Sequence, residues 1–512
     1  MTERCRDHYF YERCPERCQL RQTLIPQRAL KFRNIFPKAK LLFLCAFLFY
    51  LIGVSENIHA QEKPGDSAFW TVQATNDIIQ QHGITWKFKE RVPNGRFING
   101  DYYIIGPATI EKIVPAPRRG RNGSVLNLPP NPYRSGFDNR VENGRYDAYL
   151  AAKLPIHLKP GDSLISTISV DQVGVLPAPL RPSDKSISPV KRAAVLTCLE
   201  FPPPGDAFRP SYCDRKQKIF LSGNIRYDLL PNLPRIKGGL DFDPRPLDPR
   251  DWAEKFLRPW VDVCAFGFDA PIEYMPNYGR EVGRAVGIAS LLLMLDYPKH
   301  EKERLLINFL QYGVDLWGII RDGHRGWPAH GGHGTGRKWP ILFAGIMLGD
   351  EEMQFPKRKY PKVMFGEDMH TIYGNGWTGA KALYAGHMGK DGRIGKVGWG
   401  AYEHLHPSKW ESNIGENYRR CCTSIAWVGQ ALAARLMQAE RIWDHPPFFD
   451  YVDRWMTEDD SEAIKEIKRS RGWDYSAKWS RQGQAWDPFV NEMWSKYRQR
   501  NAPPIKDNRP VK

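Results

Sequence analysis

Four stretches in the second half of the sequence concentrate side chains that move protons or grip negative charge. The first is His330-Gly-Gly-His333-Gly-Thr-Gly-Arg337-Lys338, with two imidazoles and two cations among glycines that let a ligand approach the backbone. The second runs Glu367-Asp368-Met369-His370-Thr371-Ile372-Tyr373. The third is Tyr402-Glu403-His404-Leu405-His406, and the fourth is Glu416-Asn417-Tyr418-Arg419-Arg420. Trp339, Trp377, Trp399 and Trp410 lie within or beside them. Aromatic faces suit sugar rings, and Arg, Asn and His suit hydroxyls and carboxylates. One reaction on uronic acids uses all of these types together. β-Elimination removes the proton at C5, beside a carboxylate whose charge must first be neutralised by fixed donors. A Tyr or His then takes the proton, and another protonates the leaving oxygen.

On that chemistry Tyr402 or Tyr373 is expected as base and acid, with His333 or His404 as its partner. Arg337, Asn417 and Arg419 are expected to hold the carboxylate, and His330, His370, Trp377 and Trp399 to complete the sugar-binding surface. Each has a structural alternative. The tyrosines can pack with satisfied hydroxyls, the arginines can form internal ion pairs, and the tryptophans can be core. Glu281, between Arg280 and Arg284, reads as an ion-pair member. An inverting hydrolase would instead need two carboxylates about 6.5–9.5 Å apart, for which Glu367, Asp368, Glu411 and Glu416 are available. A glycan-binding envelope protein would use the same aromatics and cations without an acid–base pair.

Other motifs fail on their context. Gly374-Asn-Gly376-Trp-Thr-Gly379 spells a dinucleotide fingerprint, but no strand signal precedes it and no acidic residue follows at the right distance. Gly331 to Lys338 lacks the Lys-Ser/Thr end of a phosphate loop. No cofactor is predicted. The pairs His330/His333 and His404/His406 together leave room for a transition metal. Cys421-Cys422 reads either as two helix-start thiols or as a vicinal disulfide.

Two kinds of element must position these loops. From Ile84 to Asp228 short β-prone runs (84–88, 102–105, 109–114, 163–170 and 193–198) alternate with Gly/Pro/Asn/Asp clusters, as in an antiparallel, sandwich-like domain. Residues 231–250 read as a linker. Beyond it, Leu305/Leu306, Phe309/Leu310, Gly313, Leu316/Trp317 and Ile320 mark a helix face. Residues 282–295, 341–348 and 425–437 read as further buried helices. The expected division is an N-terminal extension and signal peptide (1–60), a β-rich domain (61–235), a helical domain like an α/α-toroid (236–460) and a charged tail (461–512), an α+β chain overall. A β-rich module joined to a helical toroid whose loops carry His, Tyr, Arg and Asn resembles the α/α-toroid polysaccharide lyases. The resemblance covers roughly residues 250–460 at the level of architecture. It implies eliminative cleavage of a uronic-acid polysaccharide. Many of those families place the toroid first, and no family motif matches residue by residue, so no catalytic assignment is inherited.

The apolar run Leu41–Val54 follows Lys38 and Lys40 and precedes Ile58-His59-Ala60. It is shorter than the about 20 residues of a permanent span, and its flanks are those of a secretory signal; an uncleaved anchor is the alternative reading. Secretion or periplasmic location is therefore expected, with no stable membrane span after cleavage. The net charge is +17. The first sixty residues hold ten of the 74 basic and five of the 57 acidic residues, so the remainder carries +12. That charge suits an anionic polysaccharide. The basic residues are dispersed and no nucleic-acid-binding module is present, so nucleic acid is not expected as a partner. Five cysteines follow the signal, and Cys198 and Cys213 bracket a Pro-rich loop as a plausible disulfide staple. The sequence leaves the oligomeric state open.

Overall fold

The computed structural model describes residues 74–499, except 131–133, 142–143, 174–187, 263–272, 277 and 391–397. The expected signal segment, most of the Pro-rich excursion at 177–189, Cys264 and the polar end of the chain lie outside the described residues.

Alternating apolar residues build the first half. In β2 (Ile84–Arg96), Ile84, Trp86 and Phe88 are buried while Lys87 and Lys89 face outward. The strands β1 (Ala74–Gln81), β2, β3 (Tyr102–Ile105), β4 (Ala108–Val114), β5 (Ser124–Leu126), β6 (Ile156–Leu158), β7 (Ser163–Ser169) and β8 (Val190–Leu199) form one eight-stranded sheet. Its order is β5-β7-β8-β3-β2-β4-β6, with β1 added to β2. The expectation of an antiparallel domain needs correcting at one pair: β3 and β8 run parallel, with Tyr102 opposite Leu196. The long excursion between these strands brings β8 back beside β3 in the same direction, so the sheet is mixed. It curls as a half-barrel around Trp86, Phe88, Ile104, Ile110, Leu164 and Leu196.

The outer face of the curl is covered by helices where β5, β7 and β8 lie, and solvated at β2 and β4. In β8, Ala194, Leu196 and Cys198 point into the curl, while Ala193 and Val195 point into a second core built mainly by helices. Leu164 and Ile165 of β7 divide in the same way. This period-two alternation with apolar residues on both sides joins sheet and helices through one core. It also separates Cys198 from Cys213. Both are buried free thiols, one inside the curl and the other among the helices, so the expected staple does not form.

The helices include α1 (Pro249–Lys255), α2 (Gly279–Leu293), α3 (Lys299–Arg321), α4 (Lys338–Leu348), α5 (Gly366–His370), α6 (Ile414–Tyr418), α7 (Ser424–Leu436), α8 (Pro446–Thr457), α9 (Ser461–Arg471) and α10 (Pro488–Tyr497). Four of them match the periodicities at 282–295, 305–320, 341–348 and 425–437. The linker expected at 231–250 has little regular structure but buries Leu233, Ile236, Leu240 and Leu247. The charged tail expected from residue 461 instead carries α9 and α10. Phe489, Val490 and Met493 enter the helical core, and Asp487 pairs with Arg284 of α2 at 2.8 Å. The tail's charges lie on the outer faces of these helices, which hid their apolar stripes. Arg209 bolts the two halves together, bonding Asp101 before β3 and Asp315 of α3 at 2.6 Å each. Among the described residues no helix is long and apolar enough to cross a membrane.

Candidate active site

The glycine-rich loop before α4 is held in place from four sides. Gly331 has φ +63°, and a Cβ there would meet the Tyr418 ring at 2.3 Å. A Cβ on Gly332 would come 2.4 Å from the Cys422 carbonyl oxygen. Only glycine allows this approach of the loop to Tyr418 and the turn that follows it. The Gly331 N–H donates to the His387 carbonyl at 2.8 Å, and the Gly336 N–H to Glu367 Oε1 at 2.7 Å. Arg337 donates to the carbonyls of His333 and Thr335 at 2.9 and 2.8 Å. Its fork also grips Asp262, at 2.8 and 3.0 Å.

This loop delivers His330 and His333 into an aromatic cluster. The His330 and His333 rings lie 5.2 Å apart, and His330 lies 5.0 Å from His387. Tyr278 meets His333 edge-on at 4.7 Å, and Tyr418 meets His387 edge-on at 4.3 Å. Trp399 packs against His387 at 4.4 Å. Each imidazole–tyrosine pair thus stands on one side of His330. His387 is buried, whereas His330, His333, Tyr278, Tyr418 and Trp399 are half-buried, so the cluster has a solvent-facing side. Crowding pushes the His333 pKa well below its ordinary value. Desolvation is the main cause, followed by the neighbouring His330, Arg337 and Arg145. A neutral imidazole at neutral pH is the form that accepts a proton.

His370 lies buried nearby, stacked on Tyr384 with ring centres 5.0 Å apart. Its Nδ1 is 2.9 Å from the Gly386 carbonyl, which fixes the proton on Nδ1 and leaves Nε2 a lone pair with no hydrogen-bond partner among the described residues. Burial lowers its pKa to about 3.

The structure disperses the other expected residues. Tyr402 is buried and donates to Glu416 at 2.5 Å. Tyr373 is exposed and donates to Asp450 at 2.5 Å. His404 and His406 are exposed, with His406 3.3 Å from Glu466 and beside Trp377. Asn417 accepts from Tyr475 at 2.7 Å. Arg337 is consumed by Asp262, and Arg419 by Glu416 at 2.7 Å. These arginines are only 1% and 4% exposed, so both take the ion-pair alternative. Arg420 joins the same carboxylate, and Arg454 pairs with Glu403 at 2.9 Å. The network lines a recess of about 280 Å³, open solvent included, with Trp377 and Trp410 on its walls. Burial opposes ionisation of Glu416, but Arg419 and Arg420 outweigh it and hold the carboxyl far below its usual range.

Three of the acids offered for hydrolysis, Glu367, Asp368 and Glu416, are similarly engaged. Glu367 bonds Gly336 and Gln430, and Asp368 bonds Lys338 and Lys357. Glu411 is exposed. Among the described residues no group of three or more His, Cys, Asp or Glu is arranged to hold a metal ion. Cys421 and Cys422 are joined as a vicinal disulfide inside a π-helical turn, Arg419–Thr423, rather than being two separate thiols.

Sequence reasoning placed His330 and His333 in the site but missed His387 and Tyr278, which join the loop only through packing between distant stretches of chain. Tyr418 was visible within the Glu416–Arg420 stretch but was not singled out. No family model matches the chain, and neither a curated protein nor a solved structure matches it.

Proposed function

We propose that the chain is an exported lyase that cleaves a uronic-acid-containing polysaccharide by β-elimination, on a helical scaffold of the α/α-toroid kind. The observation that carries this reading is the cluster of three imidazoles flanked by Tyr278 and Tyr418. Elimination needs one group to take the C5 proton and another to protonate the leaving oxygen. Two imidazole–tyrosine pairs on either side of His330 supply both, and Trp399 offers a face for a sugar ring. The neutral state of His333 suits the base. The basic balance of the chain suits a polyanion. The engagement of Glu367, Asp368 and Glu416 in internal bonds favours elimination over hydrolysis by a facing carboxylate pair.

The test mixes the purified protein with a panel of uronic-acid polysaccharides and follows ultraviolet absorbance. Elimination leaves a conjugated double bond at the new non-reducing end, and hydrolysis does not. A rise with one substrate, lost in both Tyr418→Phe and His387→Ala, is the expected result. Reducing ends without the absorbance would overturn the lyase reading in favour of a hydrolase, and binding without either would leave a glycan-binding protein.

A further inference from the structure

One short stretch of backbone touches both imidazole–tyrosine pairs. Tyr418, at the end of α6, directly precedes the π-helical turn Arg419–Thr423 that contains both bonded cysteines. Such turns are rare and occur mostly singly within helices, often at functional sites. The Thr423 hydroxyl donates back to the Tyr418 carbonyl at 2.9 Å. The Cys421 carbonyl accepts from Arg280 at 3.5 Å, two residues beyond Tyr278. The Cys422 carbonyl lies against Gly332, the residue before His333, where a Cβ would come within 2.4 Å of it. Tyr418 itself meets Gly331 and the His387 ring. A disulfide between adjacent residues closes a small covalent ring around the peptide unit that joins them and restricts its rotation. Here that peptide unit carries the contacts to the loop and to the start of α2.

We infer that the Cys421–Cys422 disulfide is a redox-sensitive brace that holds Tyr418 and the glycine-rich loop in place around His387, so that turnover requires the oxidised form. Opening the brace is a two-electron step. A dithiol supplies two electrons and two protons, the Sγ–Sγ bond breaks, each cysteine becomes a thiol, and the reductant closes to its own disulfide. Both cysteines are buried, so a small dithiol reaches them more readily than a protein thiol does. The freed turn lets Tyr418 shift from His387, and a displacement of about 1 Å at a reacting group costs on the order of 10²-fold in rate. The bond persists in an oxidising compartment and does not form in a thiol-reducing one. The inference rests on the export and elimination reading, and it makes export the step that switches activity on.

The test follows two signals of the full chain before and after treatment with a small dithiol. Peptide mass spectrometry confirms the reduction as two hydrogens added to the segment that carries both cysteines. The first signal is ultraviolet absorbance with the panel of uronic-acid polysaccharides. The second is the His387 ring resonance in histidine-labelled protein, identified by its loss in His387→Gln. The Tyr418 ring, 4.3 Å away, sets the position of that resonance through its ring current. Reduction should lower kcat by roughly 10–10²-fold with KM unchanged and move the His387 resonance, and reoxidation should restore both. The double variant Cys421→Ser/Cys422→Ser cannot close the bond. It should match reduced wild type and ignore the dithiol, and it decides the matter if the buried bond resists reduction. Full activity or an unmoved His387 resonance in that variant would overturn the inference. So would a further loss when dithiol is added to it, which would place the effect at another cysteine. A collapsed melting temperature in both reduced protein and variant would overturn it in favour of a general structural role. A moved resonance in a wild type that cleaves none of the panel would leave the brace standing and overturn the elimination reading instead.

Discussion

The hydroxyl of Tyr402 and that of Tyr418 illustrate how context decides what a tyrosine does. Tyr402 is sealed against an ionised Glu416 and two arginines, whereas Tyr418 borders an imidazole on the half-buried side of the cluster. Tyr418→Phe is therefore expected to lower kcat by roughly 10²–10⁴-fold with an unchanged melting temperature. Tyr373→Phe, at an exposed hydroxyl, should leave activity intact and shift stability by no more than about 0.5 kcal/mol. Glu416→Gln has the opposite signature. It removes the buried charge that Arg419 and Arg420 share, leaving Arg420 on Asp460 and Arg419 on Gln482, and chemical denaturation should show a loss of roughly 3 kcal/mol. The depressed pKa of His333 predicts a pH–rate profile whose acid limb lies below 6.5, because the imidazole stays unprotonated there; a limb at or above 6.5 would remove His333 as the base.

Helices and strands were legible where a repeat was strong. Five β-prone runs and four helical periodicities fall on observed elements, because period-two and period-3.6 burial is written directly in residue order. The site was only half legible. Glycine and histidine crowd together at 330–336, so that loop announced itself, but Tyr278 and His387 become neighbours of it only through long-range packing. Arg337 looked like a ligand grip because its partner Asp262 lies 75 residues away; the partner of Arg419, Glu416, stands one helical turn before it, a spacing at which the pair could have been read from the sequence. The parallel pairing of β3 with β8 was beyond local signals, since it depends on how the chain crosses between them. At this scale Gly331→Ala is the informative change. A left-handed backbone and a Cβ against Tyr418 should cost at least about 2 kcal/mol and depress activity further than stability alone explains.

The molecule as a whole is tied through one core, with β7 and β8 contributing to it from the sheet side. Residues 68–235 expressed alone should therefore fail to give a cooperative melting transition, because Val125, Ile165, Ala193 and Val195 would face water. Buried neutral histidines also set an acid limit on stability. His370 and His324 have pKa values lowered by desolvation to about 3 and about 4, from 6.5. Their folded forms bind fewer protons than the unfolded chain, so stability is full above 6.5 and is lost as pH falls towards those values. Melting temperatures should decline through that window, and His324→Asn should make the decline shallower.

The clasp between Arg337 and Asp262 has a consequence for how activity is acquired. The loop bearing His330 and His333 takes its shape from carbonyl bonds to Arg337, and Arg337 is oriented by a residue from a separate stretch of chain. Reactive geometry thus exists only after distant segments have docked, and a half-assembled chain carries all the chemical groups but no competent site. During refolding, catalysis should return no earlier than burial of Trp327, whose indole N–H donates to the Asp262 carbonyl at 3.1 Å, making turnover an end-point reporter of assembly.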